Sequence, residues 1–183
     1  MPEHVYDPPE RFVAGSVGPP GQRTFFLQAG DGDRRTTVSL EKEQVRLLGV
    51  SLGELLDEVA PGEGSEEAAE PFLDHAPLDG PFDDDFRVQR LSVAWDAGQE
   101  RVVLEAFDRP EAEDLLELDP TEDYPWTGRV PQSLRVVLPP ARARAFALGC
   151  TASLAGGRPS CPFCGQPLDP GGHICPRANG YKR

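Results

Sequence analysis

Thr37-Val38-Ser39-Leu40 runs into Glu41 to Leu56, and Arg135-Val136-Val137-Leu138 runs into Pro139 to Leu154, with the same residue types in the same places. Val38 matches Val136, Leu40 matches Leu138, Arg46 matches Arg144, Leu48 matches Phe146, Leu52 matches Cys150 and Leu56 matches Leu154, each pair 98 positions apart. A repeat of this kind sets the architecture, so it is read before any single element. Upstream, Phe12 to Val17 and Arg23 to Ala29 match Val88 to Trp95 and Arg101 to Ala106 at the smaller offset of about 78. The second half therefore carries an insertion, and the acidic stretch 108–132 is that insertion.

Each half reads as three strands and a helix. Phe12 to Val17 and Thr24 to Ala29 are β-rich runs separated by the turn Gly18-Pro19-Pro20-Gly21, and Gly30-Asp31-Gly32-Asp33 turns the chain into Thr36 to Leu40. Leu91 to Trp95, the turn Asp96-Ala97-Gly98, and Arg101 to Ala106 repeat the plan. Val45, Leu48, Leu52, Leu55, Leu56 and Val59 recur at steps of three and four, which makes one apolar helix face that ends at Pro61. The second helix starts after Pro139-Pro140 and closes at Gly156-Gly157. A unit of about 50 residues buries too little surface to stand alone, so both halves are expected to share one core. The fold expected is α+β: a duplicated β-β-β-α unit forming antiparallel sheets packed by two helices. Its parts are a first repeat over 1–60, an acidic linker over 61–85, a second repeat over 86–157, and a zinc knuckle with a basic tail over 158–183.

Charge divides the chain. From Pro61 to Asp85 there are nine acids and no Lys or Arg, and from Asp108 to Gln132 eight acids face only Arg109 and Arg129. Residues 135–183 reverse the balance, with seven bases and the single acid Asp169. The net charge of -13 therefore belongs to two segments. Acidic runs rich in Pro and Gly cannot bury enough apolar surface to offset the entropy of ordering, so both are expected to be solvated connectors. Phe72, Leu73, Phe82, Leu115, Leu116, Tyr124 and Trp126 are apolar anchors within them that could dock on the core. The 20 Pro and 19 Gly among 183 residues, above the roughly 12% of average usage, agree with extensive loop. No stretch reaches the roughly 18 apolar residues of a membrane span, and Met1-Pro2-Glu3-His4 has no basic or apolar leader character, so a cytoplasmic protein is expected.

Cys161 and Cys164 have the Cys-x-x-Cys spacing of a zinc knuckle, with Pro162 and Gly165 shaping a tight turn around the thiolates. His173-x-Cys175 supplies two further donors, and the Pro- and Gly-rich stretch between lets the chain fold back on itself. The expected centre is a structural Zn²⁺ held by Cys161, Cys164, His173 and Cys175, with Asp169 or Cys150 as the alternative to His173. A thioredoxin-like redox pair needs a helix after the motif, which Gly165 and Pro167 forbid, and Cys175 lacks the Cys-x5-Arg spacing of a cysteine phosphatase. Cys150 falls on the apolar face of the second helix and reads as a buried core thiol. Beyond Cys175, Arg177, Asn179, Lys182 and Arg183 form a donor-rich patch suited to a carboxylate or phosphate, or to clamping the protein's own acidic segments.

Tyr6-Asp7-Pro8-Pro9-Glu10-Arg11-Phe12-Val13-Ala14-Gly15, the helix start Leu40-Glu41-Lys42-x-Gln44-Val45, and Gly172-His173-Ile174-Cys175-Pro176-Arg177-Ala178-Asn179-Gly180-Tyr181 together resemble a family of actinobacterial proteins of unknown function with an imperfect internal repeat. The resemblance covers nearly the whole chain. It implies no activity that can be transferred residue by residue, and points no further than phosphate-ester metabolism or its regulation.

The sequence contains no phosphate loop, dinucleotide fingerprint, nucleophile elbow or His-Glu-x-x-His zinc motif. The expected function is that of a zinc-containing adaptor or regulatory binding protein. An enzyme acting on a phosphorylated or anionic small molecule, with the tail as anion contact, is the alternative. Nucleic-acid binding is weaker still, because Phe163 and Tyr181 are the aromatic residues near the knuckle and the acidic segments repel a phosphate backbone.

Overall fold

The computed structural model describes residues 4–111, 114, 122–124, 126–155 and 175. The chain runs β1 (His4–Tyr6), β2 (Arg11–Val17), β3 (Thr24–Asp31), β4 (Arg34–Leu40), α1 (Lys42–Val59), the short α2 (Glu66–Ala69) and a 3₁₀ turn (Glu70–Phe72). It continues with β5 (Phe86–Arg87), β6 (Arg90–Asp96), β7 (Arg101–Phe107), β8 (Ser133–Leu138) and α3 (Pro140–Ala155). Among the described residues the fold is therefore α+β, with two four-stranded sheets and three helices.

Local chemistry sets most of these boundaries. Gly18 and Gly21 take φ of 111° and 89°, which only glycine adopts without strain, and so close the β2–β3 hairpin. Gly32, at φ 57°, closes the two-residue turn between β3 and β4. The α1 start is fixed by the Gln44 side chain, which accepts from the Glu41 backbone N–H at 2.8 Å.

The strands β2-β3-β4 and β6-β7-β8 are antiparallel meanders, Leu27 facing Val38 in one and Leu104 facing Val136 in the other. Each sheet is then completed by a strand from elsewhere in the chain. β5 lies parallel to β4 with Phe86 opposite Val38, and β1 lies parallel to β8 with Tyr6 opposite Val136. The sheet orders are β2-β3-β4-β5 and β1-β8-β7-β6. These two short strands were not among the expected elements, and they tie the halves together: Tyr6 is fully buried and its hydroxyl is 2.8 Å from Thr36 Oγ1 across to the other sheet.

One hydrophobic core joins both sheets and the two long helices. α1 packs along α3 and reaches β6, while α3 packs on β2. The helices approach closely at Gly49, where a Cβ would lie 3.1 Å from the Cys150 Cβ. Phe12 of β2 stacks on Phe146 of α3 with ring centroids 4.1 Å apart. Leu52 and Cys150 are both fully buried, and burial pushes the Cys150 thiol well above its ordinary range. Arg144, buried on α3, bonds the Gly64 carbonyl and Asp57, which fastens the end of α1 to the second helix. Arg46, its counterpart in the sequence alignment, is exposed and pairs with Glu43.

Candidate functional site

Residues 61–85 are mostly exposed, yet the part over 74–85 is not a free connector. Residues 74–85 lie along the outer face of the first sheet, held by polar groups that point away from the core. Gln28, buried on β3, accepts from the Asp79 N–H at 2.9 Å and donates to the Asp79 carbonyl at 2.8 Å. Thr37 and Asp85 exchange two bonds of 2.8 Å, backbone to carboxylate and backbone to backbone. Ser39 donates to Asp84. Leu78 sits over Gly15 so tightly that a Cβ there would come within 2.7 Å of it. The acids that argued for solvation are partly spent as acceptors for these strand groups, a use that composition does not reveal.

Arg11 is the main fastener. From the first residue of β2 its guanidinium reaches Asp74 (Nε to Oδ2, 2.7 Å), Asp79 (2.7 Å) and the carbonyls of Ala76 and Pro77 (3.1 and 3.0 Å). Five N–H donors in a rigid fork suit such a loop, and a lysine could not reproduce them. The hydrogen bond to Asp74 raises the Arg11 pKa further, and its counterpart holds Asp74 below the usual carboxylate range against the opposing effect of burial.

Two surface features flank this docked segment. The first is a groove of about 400 Å³ between β2, α3 and the chain after the 3₁₀ turn, where Gly15, Leu73, His75, Leu148, Gly149 and Ala152 meet. A smaller depression continues it, sharing Ala14, Asp74, Ala145 and Gly149 and adding Phe72. The second is a polar hollow of about 570 Å³ at the β3–β4 turn. Arg11, Arg34 and Arg35 line it together with Glu10, Asp31, Asp33 and Asp79, so the carboxylates offset the guanidinium charge. Arg34 is itself engaged, lying 4.1 Å over the Tyr6 ring and donating to the Val5 carbonyl.

Of the expected metal ligands, Cys161, Cys164 and His173 lie outside the described residues, as do Asp169, Arg177, Asn179, Lys182 and Arg183. Cys175 is described and buried. Among the described residues no three His, Cys, Asp or Glu side chains come together as a metal site. Cys150 lies in the helix interface beside Gly49. Sequence reading missed Arg11; the available signal was a base opening a strand in a chain whose next long acidic run has no base of its own. It singled out Phe72 and Leu73 as apolar residues that could dock on the core; the turn carrying Phe72 packs on α3, while the two side chains stay 49% and 37% exposed beside the groove.

The arrangement defines an α+β protein with a stapled acidic face beside a partly apolar groove. The chain matches, over residues 4–175, the family described as a protein of unknown function (DUF3090), and it belongs to that family. No curated protein and no solved structure matches it. No helix among the described residues is long and apolar enough to cross a membrane.

Proposed function

We propose that this chain is a cytoplasmic zinc-containing adaptor or regulatory binding protein, in which two β-β-β-α units form a rigid platform and Cys161, Cys164, His173 and Cys175 hold a structural zinc. The observation that carries the reading is the preformed surface: an acidic segment pinned by Arg11 and Gln28 beside an open groove. A surface already ordered before binding avoids the entropic cost of arranging it in the complex. Equivalent registers support the duplication, since Arg11 opens β2 as Arg90 opens β6 and Tyr6 faces Val136 as Phe86 faces Val38. The ligand spacing of the Cys-x-x-Cys and His-x-Cys pairs supports the metal.

An enzyme of anionic substrates finds less support, because the polar hollow beside Arg34 and Arg35 carries four carboxylates. The test is capture of partners by the untagged protein from its native cell, with metal analysis of the same sample. About one zinc per chain is expected, lost in Cys161→Ser/Cys164→Ser, together with a reproducible partner. Zinc well below half an equivalent in reduced wild type ends the metal assignment, and the absence of any reproducible partner ends the adaptor assignment.

A further inference from the structure

We propose that the groove between β2 and α3 receives a basic, apolar-anchored segment of a partner protein. The inference rests on the adaptor reading and adds the place and the chemistry of the contact.

Three observations converge on it. Phe72 and Leu73 are large apolar residues left 49% and 37% exposed side by side. Phe72 ends a 3₁₀ turn that packs on α3 and Leu73 caps it, which sets Leu73 at the groove and Phe72 at its continuation. Exposed apolar surface bordering a concavity and rimmed by polar groups marks an interaction site. Across from them α3 presents Ala145, Gly149 and Ala152, which leave about 400 Å³ open where larger side chains would have filled it. Apolar side chains of a partner segment fit this depression in the manner of a helix laid in a groove.

Charge selects the partner. The wall belongs to the stretch 61–85, with its nine acids and no Lys or Arg. Glu66, Glu67 and Glu70 are exposed on α2 and the 3₁₀ turn, both of which pack on α3. Asp74 lines the groove but is occupied by Arg11. Arg142, on the groove's continuation, donates to the Glu10 carbonyl and keeps its charge, and His75 lines the groove, so the exposed acids of α2 and the 3₁₀ turn carry the selection. A segment with Leu or Phe anchors and flanking Lys or Arg complements this surface, whereas an acidic segment is repelled.

Gly149 offers a clean test. It sits inside α3 on the groove, and a Cβ placed on it meets nothing within 4 Å, so Gly149→Leu has room to start into the groove. Leucine also favours the helix over glycine, so the variant is expected to be at least as heat-stable as the wild type. Full-length protein is titrated into a labelled amphipathic Leu/Lys peptide and, separately, a Leu/Glu peptide of the same length, with fluorescence anisotropy as the readout. The Leu/Lys peptide is expected to bind in a salt-sensitive way and the Leu/Glu peptide is not. Gly149→Leu and Phe72→Ser/Leu73→Ser should each weaken binding about tenfold or more, as for the central residues of an interface. Leu47→Ser/Val50→Ser, at exposed positions on α1, should not.

Equal binding by wild type and Gly149→Leu, or equal binding of both peptides, overturns the proposal. If removing residues 176–183 tightens the Leu/Lys peptide severalfold, the occupant is the chain's own tail. If Gly149→Leu converts a dimer to a monomer in sedimentation, the occupant is a second copy. Either result overturns the partner assignment. A wild type and a Gly149→Leu variant that capture the same cellular partner equally well refute the groove and leave the adaptor reading standing; a wild type that captures none refutes the adaptor reading itself.

Discussion

Arg11 and Arg90 open the first long strand of each meander, yet they do opposite work. Arg11 spreads its donors over two carboxylates and two carbonyls of the loop 74–79. Arg90 lies 3.8 Å over the Phe107 ring, pairs with Glu111 at 3.3 Å, and keeps its Nε buried with no partner among the described residues. The same residue type at the same strand position is a multidentate staple in one half and a stacked cation in the other. A guanidinium has two faces and an edge, and the segment laid against it decides which is used.

The largest effect should come from removing what Arg11 holds. Replacing 74–85 with Gly and Ser takes the Asp74 and Asp79 carboxylates from Arg11 and the Asp84 and Asp85 carboxylates from Ser39 and Thr37, and takes Leu78 off Gly15. A hydrogen bond to a charged group is worth about 1.5–3 kcal/mol net even when water can replace the partner, so a few kcal/mol of stability should be lost. Thermal and denaturant unfolding measure it, and a midpoint within about 2 °C of wild type would show that the segment rests on the sheet without supporting it.

Arg11→Ala should come next, at about 2 kcal/mol, since charge-assisted bonds are worth about 1.5–3 kcal/mol and this group is partly exposed. At this chain length that corresponds to a fall of roughly 4–8 °C in Tm. Arg11→Lys should recover little of it. Arg90→Ala should cost about 1 kcal/mol or less, the range of an exposed cation–π contact. Equal losses at Arg11 and Arg90 would erase the contrast between the two halves.

The same contrast explains what the sequence made legible. β2, β3, β4 and α1 follow from apolar spacing and from glycine turns, which act over a few residues, while α3 follows from its alignment with α1 and from its Pro139-Pro140 start. β1 and β5 have three and two residues, too few for a period of two to register, and each pairs with a strand far away in sequence. The docking of 74–85 was hidden for another reason. Gln28, Thr37 and Ser39 alternate with Leu27, Val38 and Leu40, which is the pattern of a strand with one face in water, and nothing in the alternation tells water from a polar strap. Phe72 and Leu73 stood out as apolar residues in an acidic run, but spacing alone did not tell docking on the core from a place at a groove. The proposed zinc ligands were legible by spacing alone, and among them the described residues include Cys175.

The smallest effect expected is in acid. Asp74 accepts from Arg11, and that bond, with help from the Ala76 N–H and the nearby charge of Arg11 and His75, outweighs burial and lowers its pKa. A carboxylate whose pKa is lower folded than unfolded contributes stability that is fully present above the unfolded value, about 3.9, and disappears as pH falls through the folded value. Arg11 stays charged throughout, so Asp74 supplies the titration. Wild-type Tm should therefore fall more steeply than that of Arg11→Ala as pH drops below about 4, and the two curves should run parallel from about pH 5 to 8. Arg90→Ala should follow the wild-type slope, because its ring contact does not titrate and Glu111 lies at the long limit of a bond. Parallel curves for wild type and Arg11→Ala below pH 4 would mean that the fork holds the loop through its carbonyl bonds to Ala76 and Pro77 more than through its carboxylates. The staple would then be geometric where it now reads as ionic, and Asp74→Asn would separate the two by keeping an acceptor while removing the charge.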